Sequence, residues 1–143
     1  MLDLGILMDS SYTISPSLWE KEKSIAVTLM DKLDISPLGI HVGVMTLNSE
    51  VDFPIAFNGY ADAADLKTKV RQLQYHTGWS RTDLGLAAVK NRMFAAQAGL
   101  RDIRLVPKVL VVLSNGRTDV SLHNAKITLK TGNNCLTESR ACP

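Results

Sequence analysis

The run Val106-Pro107-Lys108-Val109-Leu110-Val111-Val112-Leu113 constrains the fold more than any other stretch of this chain. A near-continuous apolar run of that length marks a strand buried on both faces, and such strands belong to parallel sheets covered by helices. The opening Leu2-Asp3-Leu4-Gly5-Ile6-Leu7-Met8-Asp9 reads as a second one. Both stop abruptly in polar residues, Asp9-Ser10-Ser11-Tyr12-Thr13 in one case and Ser114-Asn115-Gly116-Arg117 in the other. In open α/β sheets, ligands bind outside the carboxyl ends of the strands, so these two loops mark the rim where function is expected.

Between the two strands the chain alternates helix and strand signals. In Ser15-Pro16-Ser17-Leu18-Trp19-Glu20 a helix starts, either with Ser15 as its cap and Pro16 in the first turn or with Ser17 and Glu20 as a capping box. Leu18, Ile25, Ala26, Leu29, Met30 and Leu33 recur at helical spacing as a core stripe, leaving Lys21, Glu22, Lys23 and Asp31 on the wet face. Residues 39–48 alternate in the β manner, with Ile40, Val42, Val44 and Thr46 on one face. Asn48-Ser49-Glu50 is too short for a parallel crossover, so residues 51–57 return as a hairpin strand, and Pro54 confines that strand to a sheet edge.

Residues 61–73 read as a helix burying Leu66, Val70 and Leu73. A loop with His76, Gly78 and Trp79 leads to another helix from Thr82, carrying Leu84, Leu86, Ala87, Val89, Met93 and Phe94. After the strand at 106–113, Asp119 or Ser121 opens a last helix through Leu122, Ala125, Ile127 and Leu129, with Gly132 as its stop. The expected fold is α/β: an open, mostly parallel sheet with one antiparallel edge strand and helices on both faces. Residues 1–131 form one domain, and 132–143 form a polar tail with no strand period.

Composition narrows the function. At 143 residues with 45% apolar content, the chain is a single globular domain, and a net charge of +2 gives no electrostatic case for nucleic acid. No apolar run reaches the length of a membrane span, and no secretory signal is read ahead of the first strand. Cys135 and Cys142 could close a small terminal disulfide loop or stay free, but they cannot staple the core. There is no G-x-G-x-x-G, P-loop or G-x-S-x-G, and His41, His76 and His123 have no metal-ligand partner at useful spacing.

Asp9, Ser11 and Thr13, at spacing two, can converge their oxygens on a hard cation. The same residue types also end strands and cap helices by bonding nearby amides, so this stretch alone supports both readings.

Three loops taken together resemble the von Willebrand factor type A domain family, which includes the inserted domains of integrins. The family's signature is a strand ending D-x-S-x-S, a glycine-rich loop reaching a threonine before a helix, and a strand ending T-D-G. The corresponding residues are Asp9-Ser10-Ser11-Tyr12-Thr13, Gly78-Trp79-Ser80-Arg81-Thr82 and Ser114-Asn115-Gly116. The resemblance covers residues 2–131 and implies a metal ion-dependent adhesion site holding Mg²⁺, or Mn²⁺ or Ca²⁺. Ser11 and Thr13 would be hydroxyl ligands, with Asp9 holding the ion directly or through water. Thr82 would be the threonine ligand, with Ser80 in its place if the loop register differs by two.

Asn115 departs from the family, which has aspartate there; an amide brings no charge, and fewer ligand charges weaken cation binding. The resemblance further implies a non-enzymatic, extracellular or secreted adhesion domain with a protein partner, collagen-like or a matrix glycoprotein. His76 and Trp79 flank the expected rim, and Trp79 is either an exposed contact anchor or packed under its loop.

Two other readings compete. Asp9 at a strand end with Thr13 four residues on is similar to haloacid dehalogenase-like phosphatases, in which the first aspartate is a nucleophile. There position 11 would have to be a second aspartate serving as acid and base, and it is Ser11. The third reading is a metal-independent structural or self-association module. A whole domain of the resembled family carries further strands after the last helix. Without them the strand at 106–113 would present an unpaired apolar edge, which is a template for self-association.

Overall fold

The computed structural model describes residues 1–102 and 104–119 and, as backbone only, 129–131 and 134–136. β1 (Leu2–Asp9) is central: it pairs in parallel with β2 (Ile40–Leu47) on one side and with β4 (Lys108–Leu113) on the other. β3 (Val51–Ile55) returns antiparallel along β2, giving the order β3-β2-β1-β4. The expected mostly parallel sheet with one antiparallel edge is therefore what forms. The β2–β3 register shifts between Val44 and Thr46, opposite the stretch holding Pro54, whose missing N–H a continuous ladder could not use.

α1 (Pro16–Met30) is capped by Ser15, whose hydroxyl accepts from the Leu18 amide at 3.2 Å, with Pro16 in the first turn. Its buried face is Trp19, Glu22, Lys23, Ala26, Val27 and Met30. The expected stripe is rotated only in part: Ala26 and Met30 are buried, Leu18, Leu29 and Leu33 are half-buried against the same core, and Ile25 leaves it, 54% exposed. Glu22 and Lys23, expected on the wet face, are buried. Trp19 accounts for the rotation: it is the largest apolar side chain on the helix, and once under the sheet its indole N–H points at the Leu73 carbonyl, 3.4 Å away. Lys23 follows it inward and donates to the carbonyls of Arg71 and Leu73, while keeping an ion pair with Glu20 at 2.9 Å.

α2 (Ala63–Arg71), capped by Asp62, packs beside α1 and buries Leu66 and Val70 completely. On the other face, α3 (Thr82–Ala88) passes into a π-helical turn, Val89–Met93. The wider turn resets the helical register. Val89 and Met93 are buried as expected, but Leu84 and Ala87 are not. Two apolar layers result, one on each face of the sheet: Leu4, Ile6 and Met8 against α1 and α2, and Leu7, Met45, Leu47 and Phe57 against α3 and the π turn.

The end of the sheet away from the strand carboxyl ends is fastened by Asp3, which is fully buried between Arg101 (Nη2 at 2.6 Å) and Lys108 (Nζ at 3.1 Å). Arg101 also donates to the carbonyls of Leu2 and Gly39, so one guanidinium joins β1 to the start of β2.

β4, written as a doubly buried strand, is the last strand of the described sheet and is only partly covered, with Val109 39% and Val112 43% exposed. Among the described residues no strand pairs its outer side. Leu129, expected in the last helix, begins β5 (Leu129–Thr131), which pairs antiparallel with β6 (Asn134–Leu136) inside the stretch read as lacking strand period. The remainder of that helix, with His123, and the pairing of Cys135 with Cys142 lie outside the described residues.

Candidate metal centre

β1 delivers Asp9 to the carboxyl rim of the sheet, 1% exposed. Its Oδ1 accepts the Ser11 amide at 2.8 Å, the short-range bond that folds an Asp-x-Ser loop back on itself. Its Oδ2 accepts the Ser80 hydroxyl at 3.0 Å. Beyond it, Ser11 Oγ and Thr13 Oγ1 lie 2.9 Å apart. The spacing of two noticed in the sequence thus does bring a carboxylate and two hydroxyls into one loop. Both carboxylate oxygens of Asp9 are thus engaged, and the side chain is almost unexposed.

The loop before α3 supplies the second side. Thr82 stands at the first position of α3 and its hydroxyl makes no hydrogen bond among the described residues. Asp83 stays in the first helical turn as expected, where Arg81 grips it at 2.9 and 2.7 Å; that bond to Arg81 holds its carboxyl below the usual range. Ser80 is fully buried and is spent as a brace: its hydroxyl donates to Asp9, its amide to Asp119 Oδ2 at 2.6 Å, and its carbonyl accepts from the Asp119 amide and the Thr118 hydroxyl.

The loop after β4 forms the third side, and there Asn115 is tied to the loop after β1. Its Nδ2 donates to the Thr13 carbonyl at 2.6 Å and its Oδ1 accepts the Arg117 amide at 3.0 Å, so both ends of the amide are used within the loops. Asp119, read from the sequence only as a helix opener, stands at the rim instead, accepting the Ser80 amide and the Tyr12 hydroxyl at 2.8 Å. That hydroxyl bond is the main reason the Tyr12 phenol is raised above its ordinary value. An open cavity of about 570 Å³ lies here, walled by Tyr12, Thr13, Gly116, Arg117, Thr118 and Asp119. The signal for Asp119 was present: an amide where an acid was expected, and an acid four residues later in the same loop.

Tyr12 and Trp79 cross edge to face over the rim, ring centres 5.9 Å apart, with Trp79 63% exposed; Trp79 is therefore not packed under its loop. His76 is exposed nearby.

The donor chemistry fits a hard divalent cation. The groups brought together are oxygens, with the Ser11 and Thr13 hydroxyls touching in the loop anchored by Asp9; Thr82 follows Ser80 by two residues, and its hydroxyl makes no hydrogen bond among the described residues. Among those residues no cluster of three or more His, Cys, Asp or Glu occurs, so the charge on offer is low. Glu22 on α1, whose Oε2 has no hydrogen-bond partner among the described residues, does not add to it: burial first, and the negative charge of Asp9 second, push its carboxyl up to about 8, so it is neutral at pH 7.

Solved structures agree on this α/β fold. Proximal thread matrix protein 1 from the mussel byssus superposes with a TM-score of 0.77 at 18% identity, covering 85% of this chain and 32% of that one. The same mussel protein with a zinc-occupied MIDAS motif gives 0.71 at 20% identity, covering 82% of this chain and 29% of that one.

The sequence profile of the von Willebrand factor type A domain matches residues 3–134, and the chain belongs to that family. Relatives include Matrilin-3 of Gallus gallus, 28% identical over 131 residues, and Matrilin-4 of Homo sapiens, 31% identical over 128 residues. These alignments cover 91% and 87% of this chain but only 29% and 21% of the relatives, so the chain spans less than a third of either.

Proposed function

We propose that this domain is a non-enzymatic adhesion module of the extracellular matrix, binding a protein partner through a divalent cation held at the rim of the sheet. The observation that carries the reading is the convergence of the Ser11 and Thr13 hydroxyls, 2.9 Å apart, in the loop anchored by buried Asp9. Ser11, Thr13 and Thr82 offer neutral oxygens, and Asp9 offers charge directly or through water. Ser80 holds Asp9 in place, and Asn115 ties its loop to Thr13. A bound Mg²⁺, or Mn²⁺ or Ca²⁺, would supply an electrophilic position for an acidic side chain of the partner.

The family, the matrilin relatives and the zinc-occupied mussel protein all support that assignment and an extracellular location. A collagen-like chain or a matrix glycoprotein is the partner class, with Tyr12 and Trp79 as aromatic contacts beside the site. No helix of the described residues is long and apolar enough to cross a membrane.

The test is calorimetric titration with Mn²⁺ and Mg²⁺ and, separately, adhesion to immobilised collagen with and without a chelator. Thr13→Val, which keeps the side-chain shape and removes the hydroxyl, should weaken cation binding, and Asp9→Asn should abolish it. Heat of binding that is unchanged in both variants would place the cation elsewhere, and adhesion indifferent to chelator would remove the metal from recognition.

A further inference from the structure

We propose that Asp119 supplies the second carboxylate of this site, in place of the one that Asn115 lacks. The inference rests on the cation site proposed above and adds to it a ligand from a position outside the family signature. At position 115 the amide faces inward to its own loops, donating to the Thr13 carbonyl and accepting from Arg117, and it is not among the walls of the 570 Å³ cavity. Asp119 is among those walls, together with Thr13, which contributes one of the two touching hydroxyls.

Position 119 is fixed rather than loose. The Ser80 amide donates to Asp119 Oδ2 at 2.6 Å and the Tyr12 hydroxyl to Oδ1 at 2.8 Å, while the Asp119 amide returns a bond to the Ser80 carbonyl at 3.1 Å. Ser80 is the joint. Through its amide and its hydroxyl, this one fully buried residue holds the carboxylates of Asp9 and Asp119 at the same time. Two carboxylates, one from the end of β1 and one from the loop after β4, are thereby bonded to one residue, and a cation beside them would be attracted to both.

The test is Mn²⁺ titration by calorimetry on the whole 143-residue chain. Asp119→Asn keeps shape and one acceptor, and should weaken Mn²⁺ binding about 10- to 100-fold, because ligand charge sets affinity at such sites. The double variant Asn115→Asp with Asp119→Asn should regain most of it, since an aspartate at 115 cannot donate to the Thr13 carbonyl and is released toward the ion. If Asp119→Asn binds as the wild type does while Asp9→Asn does not bind, the cation site stands and Asp119 is no part of it. If the single variant weakens binding and the double stays equally weak, Asp119 is only a brace for the Ser80 loop and the proposal is overturned. A wild-type chain with no Mn²⁺ binding would overturn this inference and the adhesion reading together.

Discussion

Glu22 is the residue least at ease in this fold. Buried on α1 with Oε2 unbonded, its carboxyl rises from 4.5 to about 8, chiefly through burial and secondarily through the charge of Asp9. The folded chain therefore keeps a proton that the unfolded chain releases near 4.5. Stability contributed by the neutral form is complete below that value, declines as pH rises, and is gone above about 8. At about 1.4 kcal/mol for each pH step between those two values, the wild type should lose on the order of a few kcal/mol across that window. Glu22→Gln should flatten the profile. Urea unfolding of both proteins at intervals through the window measures the difference, and a wild-type profile as flat as the variant's would refute the assignment.

Neither Glu22 nor Asp119 stood out in the sequence, for different reasons. A helical wheel offers several equivalent stripes, and only the burial of Trp19 decided which one carried Glu22 inward. Asp119 lay beyond the signature that drew attention to Asp9, Ser11, Thr13 and Thr82. That Asp9, Ser11 and Thr13 share one loop was legible because strand-end loops place side chains at spacings that local chain geometry dictates.

At the scale of elements, sheet order, hairpin and helix starts follow from local rules that a sequence states openly: a cap at Ser15, a proline at 54, a turn too short to cross over. The π turn after α3 and the rotation of α1 do not, because tertiary packing sets them. The loop before α3 shows how much one residue can matter. Gly78 has φ 103°, and a Cβ there would meet Ser49 Oγ at 2.7 Å, while its carbonyl holds the Tyr12 amide at 2.8 Å. Gly116 also has positive φ, 78°, but open space around it. Gly78→Ala should therefore cost about 2–3 kcal/mol, strain plus displacement, and Gly116→Ala only about 1 kcal/mol. Denaturant unfolding ranks them; equal losses would show that backbone strain alone decides. Only Gly78→Ala should also weaken Mn²⁺ binding, since it moves the loop that presents Ser80.

On the scale of the molecule, the two ends of the sheet have separate duties. The Asp3, Arg101 and Lys108 clamp secures one end, far along β1 from Asp9, and the carboxyl end carries the hydroxyls and the exposed aromatics. The two sheet edges differ as well. β3 is protected by Pro54 and a register shift, both of which spoil pairing with another strand. Among the described residues β4 has no such guard: its Val109 and Val112 are exposed by 39% and 43%, and no described strand covers its outer side. A flat apolar edge of this kind pairs with whatever strand reaches it, a second copy of the chain included. This 143-residue chain should therefore associate with itself as concentration rises, and sedimentation velocity over a dilution series should show the average mass climbing. Val112→Lys places a charge on the exposed face without touching the β1 ladder, and should shift the equilibrium toward monomer while leaving Mn²⁺ affinity unchanged. A chain that stays monomeric at every concentration, with the Val109 to Leu113 amides protected from exchange, would mean that its own residues beyond 119 cover the edge.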